Sequence, residues 1–420
     1  MTLLPGLRRP EPAAPAEQGG ARPRTNRLAA LDGLRLVAAL IVSLYHYTGY
    51  TRGVEDSWGV KPETAFPTLH HVGQYGWMGV QLFFMISGFV ICMSCWGRTP
   101  GAFFQSRIIR LFPAYWAAVL ITTAVITIWP VVRNPKSWHD VVLNLTMLQA
   151  PIGAPHVDAV YWTLWNEALF YLLFTVVVWR GLTLRRTVIF GYSWLLASAI
   201  SFQTDFPLLK VLLQAEYAPF FVAGITLYLI HRFGPDMLLW GLLAASFAMA
   251  QYWTFRRVGY VGRTHLDAQL SGTVGAILVT LFFLILLAIA LGYTSRIQWR
   301  WLTTAGLLTY PFYLLHENIG WTIIYGIRDF APRPVVLAVV IAIMLVSAYL
   351  LHRLFEKPIA RILKTKLAAA AGSLGRGDRY ASARPAAPAA PAAEVAPVSP
   401  APVIPGQRAS TENEGVTAVR

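Results

Sequence analysis

The stretch LRLVAALIVSLYH, residues 34–46, is almost entirely hydrocarbon, yet it carries Arg35 near one end and His46 at the other. Extended to about residues 30–50, the run is long enough as a helix to cross the ~30 Å apolar layer of a bilayer. Nine more apolar blocks follow, near residues 77–96, 111–132, 160–180, 187–203, 212–231, 236–253, 269–292, 301–325 and 334–354. They are continuously apolar and lack the period-two alternation of a barrel strand. Helices satisfy their own backbone polar groups in lipid. The 420 residues are 56% hydrophobic and 13% charged, with a mean hydropathy of +0.50. The chain therefore reads as an all-α, polytopic membrane bundle of about ten transmembrane helices, placed in the plasma membrane with the bilayer as its first partner.

A net charge of +15 points to nucleic acid only when the basic residues gather on one soluble face. Here they punctuate the spans, so a nucleic-acid partner is not expected. With the N-terminus inside, 19 Lys and Arg through residue 366 fall on the cytoplasmic side and 10 on the other. That asymmetry puts both termini in the cytoplasm. Arg256, Arg257 and Arg263 run against it. Residues 1–27 and the Ala/Pro-rich residues 367–420 carry too little large apolar surface to fold and are expected to be disordered cytoplasmic tails. Residues 28–362 form the membrane domain between them. Cys92 and Cys95 lie in an apolar span, and two thiols alone complete no zinc site; no metal is expected.

Eleven residues of helix put Arg35 and His46 on one face, about 16 Å apart in depth. Ionisable groups inside a membrane face a bundle interior or a wet cavity, so the pair marks a polar seam. Arg35 snorkelling inward or pairing with Asp32 is the structural alternative. In GVQLFFMISGFVI, residues 79–91, Ser87 and Gly88 form a small pair that permits close helix contact. SRIIRLFPAYW, residues 106–116, sets Arg107 and Arg110 three residues apart at a helix start, which suits phosphate; paired arginines there also serve as topology signals. VYWTLWNEALFYLLF, residues 160–174, buries Glu167 at about the depth expected of His46, where a His–Glu pair would fix the imidazole tautomer. LLTYPFYLLHEN adds Tyr310, His316 and Glu317 to the ninth span, and Glu356 and Lys357 in LFEKP read as boundary residues.

Over residues 27–360 this set resembles the acyltransferase 3 family of integral membrane O-acyltransferases. Arg35, ten intervening residues and His46 are similar to the family's first-span signature. FFMISGF, the Arg107/Arg110 pair and YWTLWNEALFY resemble its later motifs; LTYPFYLLH differs in having Pro311 after Tyr310. The resemblance is to the stand-alone membrane form.

The resemblance implies a cytoplasmic acyl-CoA, most simply acetyl-CoA, as co-substrate, no tightly bound cofactor, and a hydroxyl on a glycan or glycosylated small molecule as acceptor, reached from the outer side. In that scheme Arg107 and Arg110 hold the coenzyme's phosphates, and Arg35 steers the thioester. His46 takes the acceptor's proton with Glu167 orienting it, or carries the acyl group itself. Ser87, Tyr310 and His316 would support the site. The rival readings are a proton-coupled transporter of a small polar or glycosylated substrate, with His46 and Glu167 relaying protons, and a scaffold whose polar pairs are structural.

Overall fold

The computed structural model describes residues 28–382. Each segment expected to span holds one long helix: α1 Ala29–Leu44, α2 Gly79–Cys95, α3 Pro100–Ile128, α4 Trp162–Trp179, α5 Leu184–Gln203, α6 Ala218–Phe233, α7 Met237–Val261, α8 Gly272–Ala290, α9 Arg300–Ile327 and α10 Arg333–Leu351. Seven helical stretches are long and apolar enough to cross a membrane. The three long helices outside that set are α5, α7 and α9, and in α9 the reason is visible: His316, Glu317 and Asn318 interrupt its apolar run and are buried. No strand occurs among the described residues. The chain is a polytopic helical membrane protein.

The helix starts are written in the sequence. Thr99, Thr183, Asp236 and Ser271 each accept a backbone N–H of the first turn of α3, α5, α7 and α8, satisfying donors that helix geometry leaves unpaired.

The chain divides into two units, Met1–Leu367 and Ala368–Arg420; the first holds all the long helices above. Residues 367–382, expected to lack structure, are helical, within a helix assigned from Lys357 to Ser382. The run KLAAAAGSLG is rich in Ala and Leu, the best helix formers, and composition read only for core-forming capacity misses this. The expected tails at residues 1–27 and beyond residue 382 lie outside the described residues.

Packing follows two groups. In one, α9 lies against α1, α3 and α10; in the other, α6 lies against α2 and α7, and α7 against α8. The α1–α2 contact joins them. The closest approach is α2 on α6, where Gly88 faces the carbonyl of Phe221 and Gly224 faces that of Met85, so that a Cβ on either glycine would collide with backbone. The small residue expected at Gly88 does allow close contact, and its partner on α6 is a second glycine. This packing fixes α2, and with it Ser87, against the polar interior.

Candidate functional site

At its end α1 runs directly into a wider turn. Residues Tyr45–Gly49 form a π turn, closed by the N–H of Tyr50 donating to the carbonyl of Tyr45 at 2.7 Å. One extra residue in a turn rotates the side chains that follow. His46 sits in this turn, 8% exposed. Its Nδ1 lies 2.9 Å from Nε2 of His316, and Nδ1 of His316 lies 2.8 Å from the carbonyl oxygen of Tyr313.

The hydrogen positions follow from the partners. A carbonyl only accepts, so His316 carries its hydrogen on Nδ1, and in a neutral ring Nε2 then accepts. His46 must donate from Nδ1, which leaves its Nε2 as a bare lone pair. That nitrogen is 3.9 Å from Oε1 of Glu317, and His46 and Glu317 both line a cavity of about 190 Å³ with Tyr50, Arg257 and His265. The frame is rigid: Trp321 Nε1 donates to the His46 carbonyl at 2.8 Å, Tyr47 donates to the His316 carbonyl, and His316 stacks on Phe312 with 4° between ring planes.

Behind this pair lies a carboxyl pair. Asp158 and Glu317 sit side by side, both accepting from the N–H of Val160, with Asp158 Oδ1 at 3.3 Å. Glu317 Oε2 accepts the N–H of Val160 at 3.0 Å, and Asp158 accepts that of Asn318 at 3.2 Å. Asp158 precedes its span, and burial raises its pKa, against the lowering effect of Glu317, the two amides and Arg133. At the cavity rim, burial and the nearby charge of Arg257 lower the pKa of His265.

A second cavity, of about 70 Å³, lies toward the other end of α1. Its lining includes Arg35, Arg107, Arg110, Glu167, Tyr171 and Tyr310, three guanidiniums against one carboxylate. Arg107 is 9% exposed, reaches Ser94 and Ser106 hydroxyls at 3.5 and 3.3 Å, and lies near the faces of Phe103 and Tyr171. Ser87 donates to Oε1 of Glu167, and Tyr310 donates to the Leu111 carbonyl at 3.1 Å. The excess of arginine suits an anion.

The two cavities are neighbours: Val80 and Tyr313 line both and stand between them. Tyr313 is held there by its hydroxyl, 3.0 Å from Thr163 Oγ1 and 3.3 Å from the Val160 carbonyl.

The sequence reading paired His46 with Glu167, and the structure separates them. Glu167 bonds Ser87 and lines the arginine cavity, while His46 has His316 as its hydrogen-bond partner and Glu317 as its nearest carboxylate. Depth along a helix is legible in sequence; the direction a side chain faces is set by tertiary packing. The structure brings Arg35, Arg107, Arg110, Glu167, Ser87 and Tyr310 together, and gathers His46 with His316. The reading assigned no role to Glu317, although a buried acid next to a buried histidine is itself a signal. Asp158 gave none, since its partners lie 160 residues away.

The chain belongs to the acyltransferase domain family, whose profile matches residues 28–353. Among characterised relatives it is similar to Acyltransferase MdmB of Streptomyces mycarofaciens, 25% identical over 382 residues, covering 81% of this chain and 94% of that protein. It is also similar to Protein 2 in picA locus of Rhizobium radiobacter, 28% identical over 166 residues, covering 34% of this chain and 77% of the other. No solved structure matches. The chain is an acyl-transferring membrane enzyme.

Proposed function

We propose that the protein moves an acyl group, most simply acetyl, from cytoplasmic acyl-CoA to a hydroxyl of a carbohydrate or glycosylated acceptor at the outer face of the plasma membrane. The observation that carries this reading is that the two cavities lie side by side, with Val80 and Tyr313 as shared walls. One presents an arginine cluster and the other a histidine with a free lone pair. The arginine cavity takes the coenzyme, with Arg107 and Arg110 on its phosphates. Arg35 neutralises charge developing on the thioester oxygen. The pantetheine arm follows the seam to Tyr313.

At His46 the acceptor hydroxyl gives its proton to Nε2 as its oxygen attacks the thioester carbon. The tetrahedral intermediate collapses, the C–S bond breaks, and the imidazolium returns the proton to the departing sulfur. The ester and free coenzyme A leave on opposite sides. His316 holds the tautomer throughout, and Glu167 fixes α2 to α4 through Ser87 and tempers the arginine charge.

The test is coenzyme A release from acetyl-CoA by the purified protein in nanodiscs, across a panel of glycoside acceptors. The natural protein should release thiol, and His46→Ala should lose at least a hundredfold in kcat while binding the coenzyme equally. Arg35→Ala should lose rate, and Glu167→Gln, which removes the one carboxylate among the arginines, should bind the coenzyme at least as tightly as the natural protein. If His46→Ala turns over normally, the base assignment is wrong.

A further inference from the structure

Beyond Tyr217 and Arg257 the His46 cavity has a larger neighbour. A cavity of about 630 Å³ is walled by Trp165 and Asn166 of α4, Gln214 and Tyr217 of the α5–α6 connection, and Trp253 and Arg257 of α7. Tyr217 and Arg257 line both it and the His46 cavity, and both also line a void of about 10 Å³ that adds Gln81 from the His46 side and Trp253 from the far side. The three spaces therefore share Tyr217 and Arg257 as common walls. Across them lies one ion pair, Arg257 Nη1 to Glu216 Oε2 at 3.3 Å, with both partners partly exposed.

The chemistry of the walls is mixed in a particular way. Gln214 is 2% exposed and lies at φ 51, the left-handed region that non-glycine residues seldom adopt. Its Nε2 donates to the Asn166 carbonyl, but its Oε1 is buried with no hydrogen-bond partner among the described residues. A buried acceptor in that condition destabilises the chain, and a donor on a ligand removes that cost. Trp165, Tyr217 and Trp253 are among the lining side chains, and aromatic rings are complementary to the polarised C–H face of a pyranose. The adjoining helix Pro207–Leu213 brings apolar Leu208, Val211 and Leu212, which are 70%, 50% and 42% exposed.

Hydroxyl donors, a ring face and an apolar rim together describe one ligand class. We infer that this cavity is the acceptor subsite, and that it takes a glycoside with an apolar aglycone whose hydroxyl reaches His46 when the Arg257–Glu216 pair swings aside. The inference rests on the acyltransferase reading above and adds the acceptor's chemistry and route.

The experiment uses the full chain in nanodiscs and a diazirine-bearing alkyl glucoside as probe, with octyl glucoside as competitor and peptide mapping as readout. Labelling that saturates, is competed, and falls on residues 165–166, 208–217 or 253–257 is the expected result. Trp165→Ala, a half-buried position on the cavity wall, and Gln214→Leu should each cut that labelling at least fivefold. Label spread over the lipid-facing surface, or undiminished in both variants, overturns the assignment. The readout needs no turnover: a chain that takes the label here yet releases no coenzyme A keeps the cavity assignment and refutes the reaction, and the converse result refutes the cavity alone.

Discussion

Replacing His316 by Phe isolates the tautomer lock. The ring shape and the stack on Phe312 survive, and the bond from Tyr47 survives because it ends on the main chain. What disappears is the acceptor 2.9 Å from His46 Nδ1. A buried N–H left without a partner costs about 1–3 kcal/mol. The ring avoids this by moving its hydrogen to Nε2, where Glu317 Oε1 stands 3.9 Å away. That nitrogen is the one that must accept the substrate's proton, so the cost of restoring the reactive tautomer is added to the barrier. At 1.36 kcal/mol per tenfold, kcat should fall by about 5- to 150-fold. KM for acetyl-CoA should stay within about twofold, since the coenzyme contacts proposed above lie in the other cavity. His316→Gln returns an acceptor oxygen and should recover part of the loss. Steady-state coenzyme A release by the three proteins in nanodiscs decides the matter. A His316→Phe enzyme retaining more than about a third of its kcat refutes the lock, as does a Gln variant no better than Phe.

Arg107→Ala removes a charged donor from the arginine cavity and, on the proposed function, should raise KM for acetyl-CoA by about tenfold or more, from the ~1.5–3 kcal/mol typical of such bonds; a fall in kcat with KM unchanged would place Arg107 elsewhere in the reaction. Gly224→Ala drives a methyl group into the Met85 carbonyl and should destabilise the bundle by about 1–3 kcal/mol, seen as a lower thermal midpoint in detergent, whereas Gly326→Ala, with open space beside it, should leave the midpoint unchanged. Asp158 has a raised pKa in the folded chain, so the folded state holds a proton that the unfolded chain has released. Its contribution to stability is present at low pH and is lost as pH rises through the folded value. Asp158→Asn should flatten the dependence of the thermal midpoint on pH, and an unchanged slope would show that this carboxyl does not set that dependence.

The apolar runs determine the helices by themselves. Each is long enough for the bilayer, and in lipid a helix is the structure that satisfies its own backbone. Cap residues such as Thr99 and Asp236 fix several starts, and the small residue at Gly88 marks a close contact. The arginine cavity was partly legible as well, because Arg107 and Arg110 share a helix face through local spacing alone.

The partner of His46 was not legible. Glu167 and Glu317 are both acids inside apolar runs at similar distances from the outer ends of their expected spans, so depth from sequence does not choose between them. The choice depends on how α4 and α9 rotate about their own axes, which is decided by Ser87 reaching Glu167 and by the π turn that delivers His46 to His316. Asp158 illustrates the same limit, a loop residue made important by contacts 160 positions away. Local sequence determined where helices form and how deep each polar group lies. Only the tertiary structure decided which polar groups face one another, because azimuth is a property of the packed bundle and of no single helix.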